Sequence, residues 1–258
     1  MTMAEITIDR VSKVFATARK RTVALNETSL HIDDAETVCI VGPSGCGKTT
    51  LLNLVAGFLA PTSGTIVVGD TAVAGPGADR AVVFQADAVF PWLTVADNVE
   101  YGMRMQGLPS AERRARTAHY LDLVGLSEFR TAYPKELSGG MRKRVDLARA
   151  YASGPGVLLL DEPFGALDLF TKEAMWLALG RVVQAEPKTI VFVTHDIEEA
   201  LFLGDRVIVM TPRPARVHSI VDVPFGAQRG LEIRESREFQ ELRNQIAHTL
   251  REVHDDAA

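Results

Sequence analysis

Short runs of apolar, β-branched residues alternate with longer segments of helical periodicity along most of the chain. This alternation predicts an α/β protein with a mostly parallel sheet and helices packed on it. In open sheets of this kind, ligands bind at the carboxyl ends of the strands. The clearest strands are predicted at 37–41, 81–84, 157–160, 189–194 and 206–210.

Three parts of the chain depart from this alternation. Residues 2–30 and 64–73 alternate as antiparallel strands do, whereas 86–155 contains helical patterns separated by Gly and Pro. In that helical part, Ser110 and Gly125 are expected to cap the helix between them. We therefore predict one domain, 1–258, with a core formed by 4–85 and 156–210 that includes an antiparallel β subdomain, an inserted helical subdomain at 86–155, and a C-terminal strand and helix extension at 211–258.

The C-terminal extension carries one apolar stripe at helical spacing. Packing against the sheet of the same subunit is the favoured interpretation, and a regulatory or dimer-bracing role is the alternative. The stripe consists of Phe239, Leu242, Ile246, Leu250 and Val253.

Composition narrows the class of protein. Apolar residues make up 47% and charged residues 24%, as in ordinary α/β proteins, and the net charge of -5 argues against nucleic acid as a partner. Cys39 and Cys46 are expected to be free thiols, which suits a reducing cytoplasm. The N-terminus has no signal-peptide pattern, and no apolar run reaches the roughly 20 residues that a spanning helix needs. We therefore expect membrane association only through a partner.

The strongest chemical signal is a glycine-rich loop between the strand at 37–41 and the helical pattern that follows. Its glycines allow consecutive backbone NH groups to face a phosphate, and the helix adds the positive end of its dipole. Lys48 is expected to reach the β- and γ-phosphates, and Thr49 to offer its hydroxyl to Mg²⁺. The predicted nucleotide-binding residues of this P-loop are Gly42, Pro43, Ser44, Gly45, Cys46, Gly47, Lys48, Thr49 and Thr50.

A second strand end is acidic. Asp161 follows the apolar run at 157–160 and is expected to hold Mg²⁺ through water. Glu162 comes one residue later, where its carboxylate can act as general base for the attacking water or orient it. A solvated strand terminus is the alternative, and the P-loop upstream makes it the less favoured one.

The segment at 137–144, Leu-Ser-Gly-Gly-Met-Arg-Lys-Arg, resembles the signature motif of ABC-transporter ATPases. In that family Ser138, Gly139, Gly140 and Met141 would lie at a helix N-terminus and contact the γ-phosphate held by the P-loop of the other subunit. One motif per chain implies a homodimer or paired ATPase subunits. An ordinary N-cap is also a plausible part of the role of Ser138.

Other positions match the same family, and the resemblance implies a P-loop NTPase (RecA-like) fold. Gln85 matches the Q-loop glutamine, which approaches Mg²⁺ and water and begins the hinge to the helical subdomain. Asp168 matches the D-loop at the dimer interface, and His195 matches the switch histidine that contacts the γ-phosphate and Glu162. Phe15 falls where an aromatic ring stacks on adenine, although a buried strand residue is the alternative. The resemblance thus implies catalytic roles for Lys48, Gln85, Glu162 and His195, and metal ligation by Thr49, Gln85 and Asp161.

Two signature positions depart from the broad family pattern. Met141 and Lys143 stand where Gln is common. We expect altered side-chain hydrogen bonding to the opposite nucleotide, with the backbone contacts of the Ser-Gly-Gly run unaffected.

The runs at 75–85 and 90–99 resemble importers for nitrate, aliphatic sulfonates and taurine, and taurine importers most. The resemblance implies ATP and Mg²⁺ as ligands, transmembrane permease subunits contacted near Gln85–Trp92, a substrate-binding protein that acts indirectly, and a peripheral place on the cytoplasmic face of a bacterial inner membrane. Phe90, Pro91 and Trp92 would either line the permease contact or pack inside the helical subdomain.

We predict an ATP-hydrolysing subunit that powers uptake of a small anion such as taurine, an aliphatic sulfonate or nitrate. Another transporter branch, for a thiamine precursor, a metal or a lipid, is the first alternative. A soluble ABC ATPase without a transport role and a catalytically silent nucleotide sensor are the others.

Overall fold

The computed structural model describes residues 4–17, 20–226 and 229–255. Residues 1–3 and 256–258, which the predicted domain boundaries include, lie outside the described residues. The strands are β1 (Ile6–Ala16), β2 (Arg21–Ile32), β3 (Thr37–Val41), β4 (Ser63–Val68), β5 (Thr71–Ala72), β6 (Arg80–Val83), β7 (Val157–Asp161), β8 (Thr189–Val193), β9 (Arg206–Met210) and β10 (Val217–Asp222). The α-helices are α1 (Lys48–Ala56), α2 (Val95–Met105), α3 (Ser110–Leu123), α4 (Gly139–Ala152), α5 (Leu169–Ala185), α6 (Ile197–Leu203) and α7 (Arg237–Asp255).

The main sheet has six strands in the order β10-β9-β3-β8-β7-β6. The strands from β9 to β6 are parallel, and β10 is antiparallel to β9. All residues of β3 and β8 are buried, which explains why these strands are continuous apolar runs rather than alternating ones. The five predicted strands are confirmed, and each predicted end lies within one residue of the observed one. The carboxyl ends of β3, β7 and β8 therefore lie side by side at one edge of the sheet.

A second sheet is antiparallel, in the order β2-β1-β4-β5, as the alternation of its sequence predicts. Helix α1 packs between strands of both sheets through Leu51, Leu52 and Leu54, in one apolar core that includes Ile6 and Val38. This packing holds the loop before α1 at the carboxyl end of β3. Cys46 in that loop and Cys39 in β3 are free and buried, as predicted.

Helices α2, α3 and α4 pack together in the inserted helical segment. Gly125 has a φ of +68° just after α3 and ends it as predicted. The prediction of Ser110 as N-cap was wrong. The cap position is Pro109, whose extended backbone starts the helix one residue earlier, and the Ser110 hydroxyl instead accepts a hydrogen bond from Arg114 at 2.8 Å.

The C-terminal segment packs on the rest of the same chain. Strand β10 extends the main sheet, and α7 buries one face against the core that covers this sheet. Phe239, Ile246 and Val253 are buried. Leu242 and Leu250 are partly buried against the same core, which confirms the predicted stripe. In the described ranges we find no helix whose length and apolarity would suffice to cross a membrane.

Candidate functional site

The P-loop connects β3 to α1 through backbone conformations that require glycine. Gly45 and Gly47 have φ values of +71° and +136°. A Cβ on Gly47 would lie 3.0 Å from the carbonyl oxygen of Ala24 and 3.1 Å from Cβ of Ala215. Gly47 is also the N-cap of α1 and has no side chain to occupy the free NH groups of the first turn. These NH groups remain available to a phosphate.

Lys48 is buried inside the curve of this loop, with 5% of its surface exposed. Its Nζ donates to the carbonyl oxygens of Gly42, at 2.8 Å, and Pro43, at 3.3 Å. An ammonium group has three N–H donors and no acceptor, so it can bind phosphate oxygens while it stays at the loop. The charge therefore lies where an anion would enter the loop.

A hydroxyl and a carboxylate lie next to each other beside the P-loop. Divalent cations such as Mg²⁺ bind oxygen ligands of this kind. The Thr49 hydroxyl donates to Oδ1 of Asp161 at 3.0 Å, although the two residues lie on different elements. Burial raises the pKa of the Asp161 carboxyl, and the hydrogen bond from Thr49 partly offsets this rise. Among the described residues, no group of three or more His, Cys, Asp and Glu side chains could hold a metal by itself. A cation at this place would complete its coordination with phosphate oxygens and water.

Glu162 and His195 follow the neighbouring parallel strands β7 and β8, where Asp161 is in register with Val193. Nδ1 of His195 lies 3.0 Å from Oε2 of Glu162. The Glu162 backbone has a φ of +45°, and its NH donates to the carbonyl of Val193 at 2.9 Å. A left-handed conformation of a residue other than glycine costs on the order of 1–3 kcal/mol and is found mostly where function requires it.

The turn that carries His195 is braced from inside the protein, which sequence reasoning missed. The Thr194 hydroxyl donates to the carboxylate of Glu199, and the Trp176 indole donates to the same carboxylate at 2.9 Å. Glu199 is 2% exposed, and this burial raises its pKa. A glutamate in the first turn of a helix normally suits the helix dipole, so the sequence carries no signal that distinguishes this buried one.

Gln85 lies two residues after β6 and is exposed. Distances measured from Gly165 show which candidate groups lie near Gln85. A Cβ on Gly165 would lie 3.6 Å from Cε1 of His195 and 3.7 Å from Nε2 of Gln85. The carbonyl oxygen of Glu162 would be 3.6 Å away. The fold therefore brings Gln85, Glu162 and His195 to one place, and a larger residue at Gly165 would fill the space among them.

The predicted signature segment around Ser138 lies at the start of α4. Ser138 is the N-cap of α4, and its hydroxyl accepts from the NH of Met141 at 3.3 Å. A Cβ on Gly140 would lie 2.3 Å from Cγ2 of Thr171, at the start of α5. Asp168 caps α5 by accepting from the Thr171 NH at 3.1 Å and hydroxyl at 2.7 Å. Within the described ranges, no hydrogen bond joins 138–140 to the P-loop of the same chain.

Lys143 faces its own subunit, and the expectation that hydrogen bonding to the opposite nucleotide is altered here stays a prediction. The side chain is buried, and its Nζ donates to the carbonyl oxygens of Phe84, at 2.9 Å, and Gln85, at 2.7 Å. Burial lowers the pKa of this amine. Met141 is partly buried against the core of the same chain.

The aromatic candidates differ in exposure. Phe15 is 41% exposed on the β1–β2 hairpin, which contradicts the buried alternative, and Lys13 Nζ lies 5.2 Å from its ring centroid. Phe90 packs against Tyr101, with ring centroids 4.6 Å apart, inside the helical segment. Trp92 is 71% exposed, and Pro91 is exposed beside it. Phe90 therefore packs inside the helical segment, whereas Pro91 and Trp92 form an exposed surface.

Comparison with known proteins finds relatives that all belong to one family. A family model described as "ABC transporter" matches residues 25–165. A taurine import ATP-binding protein, TauB, of Rhizobium johnstonii is 48% identical over 254 residues, which cover 96% of this chain and 97% of that protein. A nitrate import ATP-binding protein, NrtD, of Synechocystis sp. is 46% identical over 250 residues, covering 95% and 94% of the two chains.

Solved structures agree with these matches. The dimeric structure of MJ0796, a bacterial ABC transporter cassette, has a TM-score of 0.74 at 32% identity and covers 86% of this chain and 100% of that one. A dimeric post-hydrolysis state of the same cassette, bound to ADP and Pi, has a TM-score of 0.73 at 30% identity, with the same coverage.

Proposed function

The chain belongs to the ABC transporter family as an ATP-binding and ATP-hydrolysing subunit, and we propose that it works as a dimer with two composite ATP sites. In each site, ATP lies between the P-loop of one copy and residues 138–140 of the other. The observation that carries this proposal is the separation of the two anion-binding segments within one chain, where no hydrogen bond of the described residues joins them. The dimers formed by the solved relative support it.

On the P-loop side, Lys48 binds the β- and γ-phosphates, and the free NH groups at the start of α1 surround the same oxygens. Thr49 and Asp161 hold Mg²⁺, for which their adjacent hydroxyl and carboxylate oxygens are suited. The bound ion supplies positive charge to the phosphate oxygens during hydrolysis. Phe15 offers an exposed ring on which the adenine stacks.

Glu162 orients the attacking water or accepts its proton. His195 holds the Glu162 carboxylate through the 3.0 Å contact and faces the γ-phosphate. Gln85, whose Nε2 would lie 3.7 Å from a Cβ on Gly165, would bind the same water and the metal. The partner contributes Ser138 with the NH groups at the start of α4, so an anion meets a hydroxyl and a helix dipole together.

We propose further that the dimer powers uptake of a small anion, such as taurine, an aliphatic sulfonate or nitrate, through transmembrane permease subunits on the cytoplasmic face of a bacterial membrane. The names of the relatives support this class of solute. Trp92 is exposed and follows Gln85 closely in the sequence, and it offers an apolar contact for a permease segment. A substrate-binding protein would deliver the solute without touching this chain.

Growth and uptake test the solute. Cells without this chain are supplied with taurine or an alkanesulfonate as sole sulfur source, or nitrate as sole nitrogen source, with sulfate and ammonium as controls. We expect loss of uptake for one anion class, restored by the wild-type chain but not by Glu162→Gln. Normal uptake of all three anions would overturn the proposed solute. Co-purification in mild detergent should recover the permease with both forms of the chain.

A further inference from the structure

The backbone segment that follows β6, here called the linker segment (84–88), is bonded along its length to side chains of α4. Lys143 donates to the carbonyl oxygens of Phe84, at 2.9 Å, and Gln85, at 2.7 Å. Its Nζ also lies 3.6 Å from Oδ1 of Asp87. All three directions of the ammonium group therefore face the linker segment, and the Lys143 side chain is buried.

The rest of the linker segment is held in the same way. Asp146 accepts from the NH of Ala88 at 3.0 Å, and Nη1 of Arg149 donates to the carbonyl of Ala88 at 2.6 Å. Arg149 and Asp146 are themselves paired at 2.8 Å. Arg142 donates through Nε to Asp87 at 2.7 Å. Positions 142, 146 and 149 lie on one face of α4 by helical spacing, with 143 beside them.

Lys143 and Asp146 are 4% and 2% exposed, and burial of a charged group costs hydration free energy that an apolar residue of similar volume would not lose. The charged set instead fixes the position of the linker segment, since Lys143, Asp146 and Arg149 each bond to particular backbone atoms of it. Phe84, Gln85 and Ala88 are all hydrogen-bonded to side chains of α4, whereas β6 ends at Val83. Gln85 must then move together with α4.

We propose that Lys143 is a positioning residue for ATP hydrolysis, which fixes the backbone of Gln85 so that the position of α4 decides whether the Gln85 side chain reaches Glu162 and His195. The inference rests on the proposed catalytic role of Gln85. The N-terminus of α4 carries Ser138, which in the proposed dimer contacts the ATP of the partner.

The test uses steady-state ATP hydrolysis by the full-length chain with Lys143→Met, which keeps the stem but removes the donors. We expect kcat to fall by about tenfold or more, because small displacements of catalytic groups have effects of this size, while KM for ATP changes less than about twofold. Lys143→Gln, which restores two N–H donors, should recover a substantial part of kcat. Melting temperatures and gel filtration of each variant verify that it is folded.

A matched control removes another ion pair of the helical segment. Arg113 donates to Glu100 at 2.5 Å and to the carbonyl of Leu108 at 2.6 Å, and within the part of the chain that the structure describes it has no hydrogen bond to the linker segment. Arg113→Met should therefore leave kcat unchanged. An equal loss of kcat in Arg113→Met and Lys143→Met would overturn the proposal in favour of general destabilisation of the helical segment.

A double-mutant cycle with Gln85→Ala separates the inference from the function on which it rests. If Lys143 acts through Gln85, adding Lys143→Met to Gln85→Ala should cause no further loss of kcat. Multiplying losses, or a kcat that falls in Gln85→Ala but not in Lys143→Met, would overturn the role of Lys143 and leave that of Gln85 standing. Full activity of Gln85→Ala would instead overturn the catalytic role of Gln85 and the inference with it.

Discussion

Nδ1 of His195 lies 3.0 Å from Oε2 of Glu162, although 33 positions separate the two residues in the sequence. Neighbouring parallel strands, β7 and β8, bring them together, and the register places Asp161 opposite Val193. The contact joins the proposed general base to the proposed switch histidine. Its geometry therefore belongs to the fold.

Replacement of Glu162 by Gln should separate ATP binding from hydrolysis. The amide has nearly the same shape as the carboxylate but cannot accept a proton from water, so we expect turnover to fall by about 10²–10⁴-fold while ATP affinity is retained. The bound ATP should then hold two copies together as a stable dimer. Phosphate release and gel filtration with ATP measure both effects, and a monomeric, fully active variant would contradict the mechanism.

Loss of the Lys48 charge should act on binding instead. Hydrogen bonds to charged groups contribute about 1.5–3 kcal/mol each, so Lys48→Ala should weaken ATP binding by at least about tenfold. Isothermal titration calorimetry measures this affinity. Lys188, just before β8 at the opposite edge of the sheet, provides the control, because Lys188→Ala should bind ATP normally. Unchanged affinity of Lys48→Ala would exclude the P-loop assignment.

Stacking on Phe15 should contribute to binding of the base. Phe15→Ala is expected to weaken ATP binding by about 1–3 kcal/mol, and Phe15→Tyr should bind nearly as well as the wild type. Stacking tolerates any purine, so GTP binding should weaken by the same factor. Competition titrations with both nucleotides measure this, and equal affinities of the wild type and Phe15→Ala would remove Phe15 from the site.

The brace behind His195 should show in the pH dependence of stability. Burial raises the pKa of Glu199 above its ordinary value of 4.5, so the folded state binds this proton more tightly than the unfolded state. The stability gained from the proton is fully present below pH 4.5 and is lost as the pH rises through the folded pKa. The Glu199→Gln variant has no titrating group at this position, so it lacks this pH-dependent contribution.

We therefore expect the melting temperature of the wild type, minus that of Glu199→Gln, to decrease as the pH rises above 4.5. The difference should become constant once the carboxyl is ionised in both states. Thermal unfolding of the two proteins in parallel at intervals between pH 5 and 8 measures it, and other titrating groups cancel because both proteins contain them. A difference that does not change with pH would show that Glu199 is ionised throughout.

Strand ends and the glycine-rich loop were predictable from the sequence because their signals are local. Apolar runs of about five residues identify β3, β7 and β8, and each is followed directly by residues placed in the site, such as Asp161. The contacts of individual side chains could not be predicted from the sequence. Lys143 contacts Gln85 across 58 positions of sequence, and Glu199 is buried against Trp176 on another helix. Neither contact has a local pattern, since both depend on how helices pack on the finished sheet.

Strand β6 is the last strand of the main sheet, and β7 is its neighbour in the strand order. The strands that carry Asp161 and His195 lie further inside, so a rotation of the helical segment about the end of β6 leaves their hydrogen-bonded ladder intact. The free-energy barrier to such a rotation is therefore set by the apolar core that α4 shares with β6 and β7 and not by the strand ladder. Substitutions in this shared core should therefore change the rate of conformational exchange.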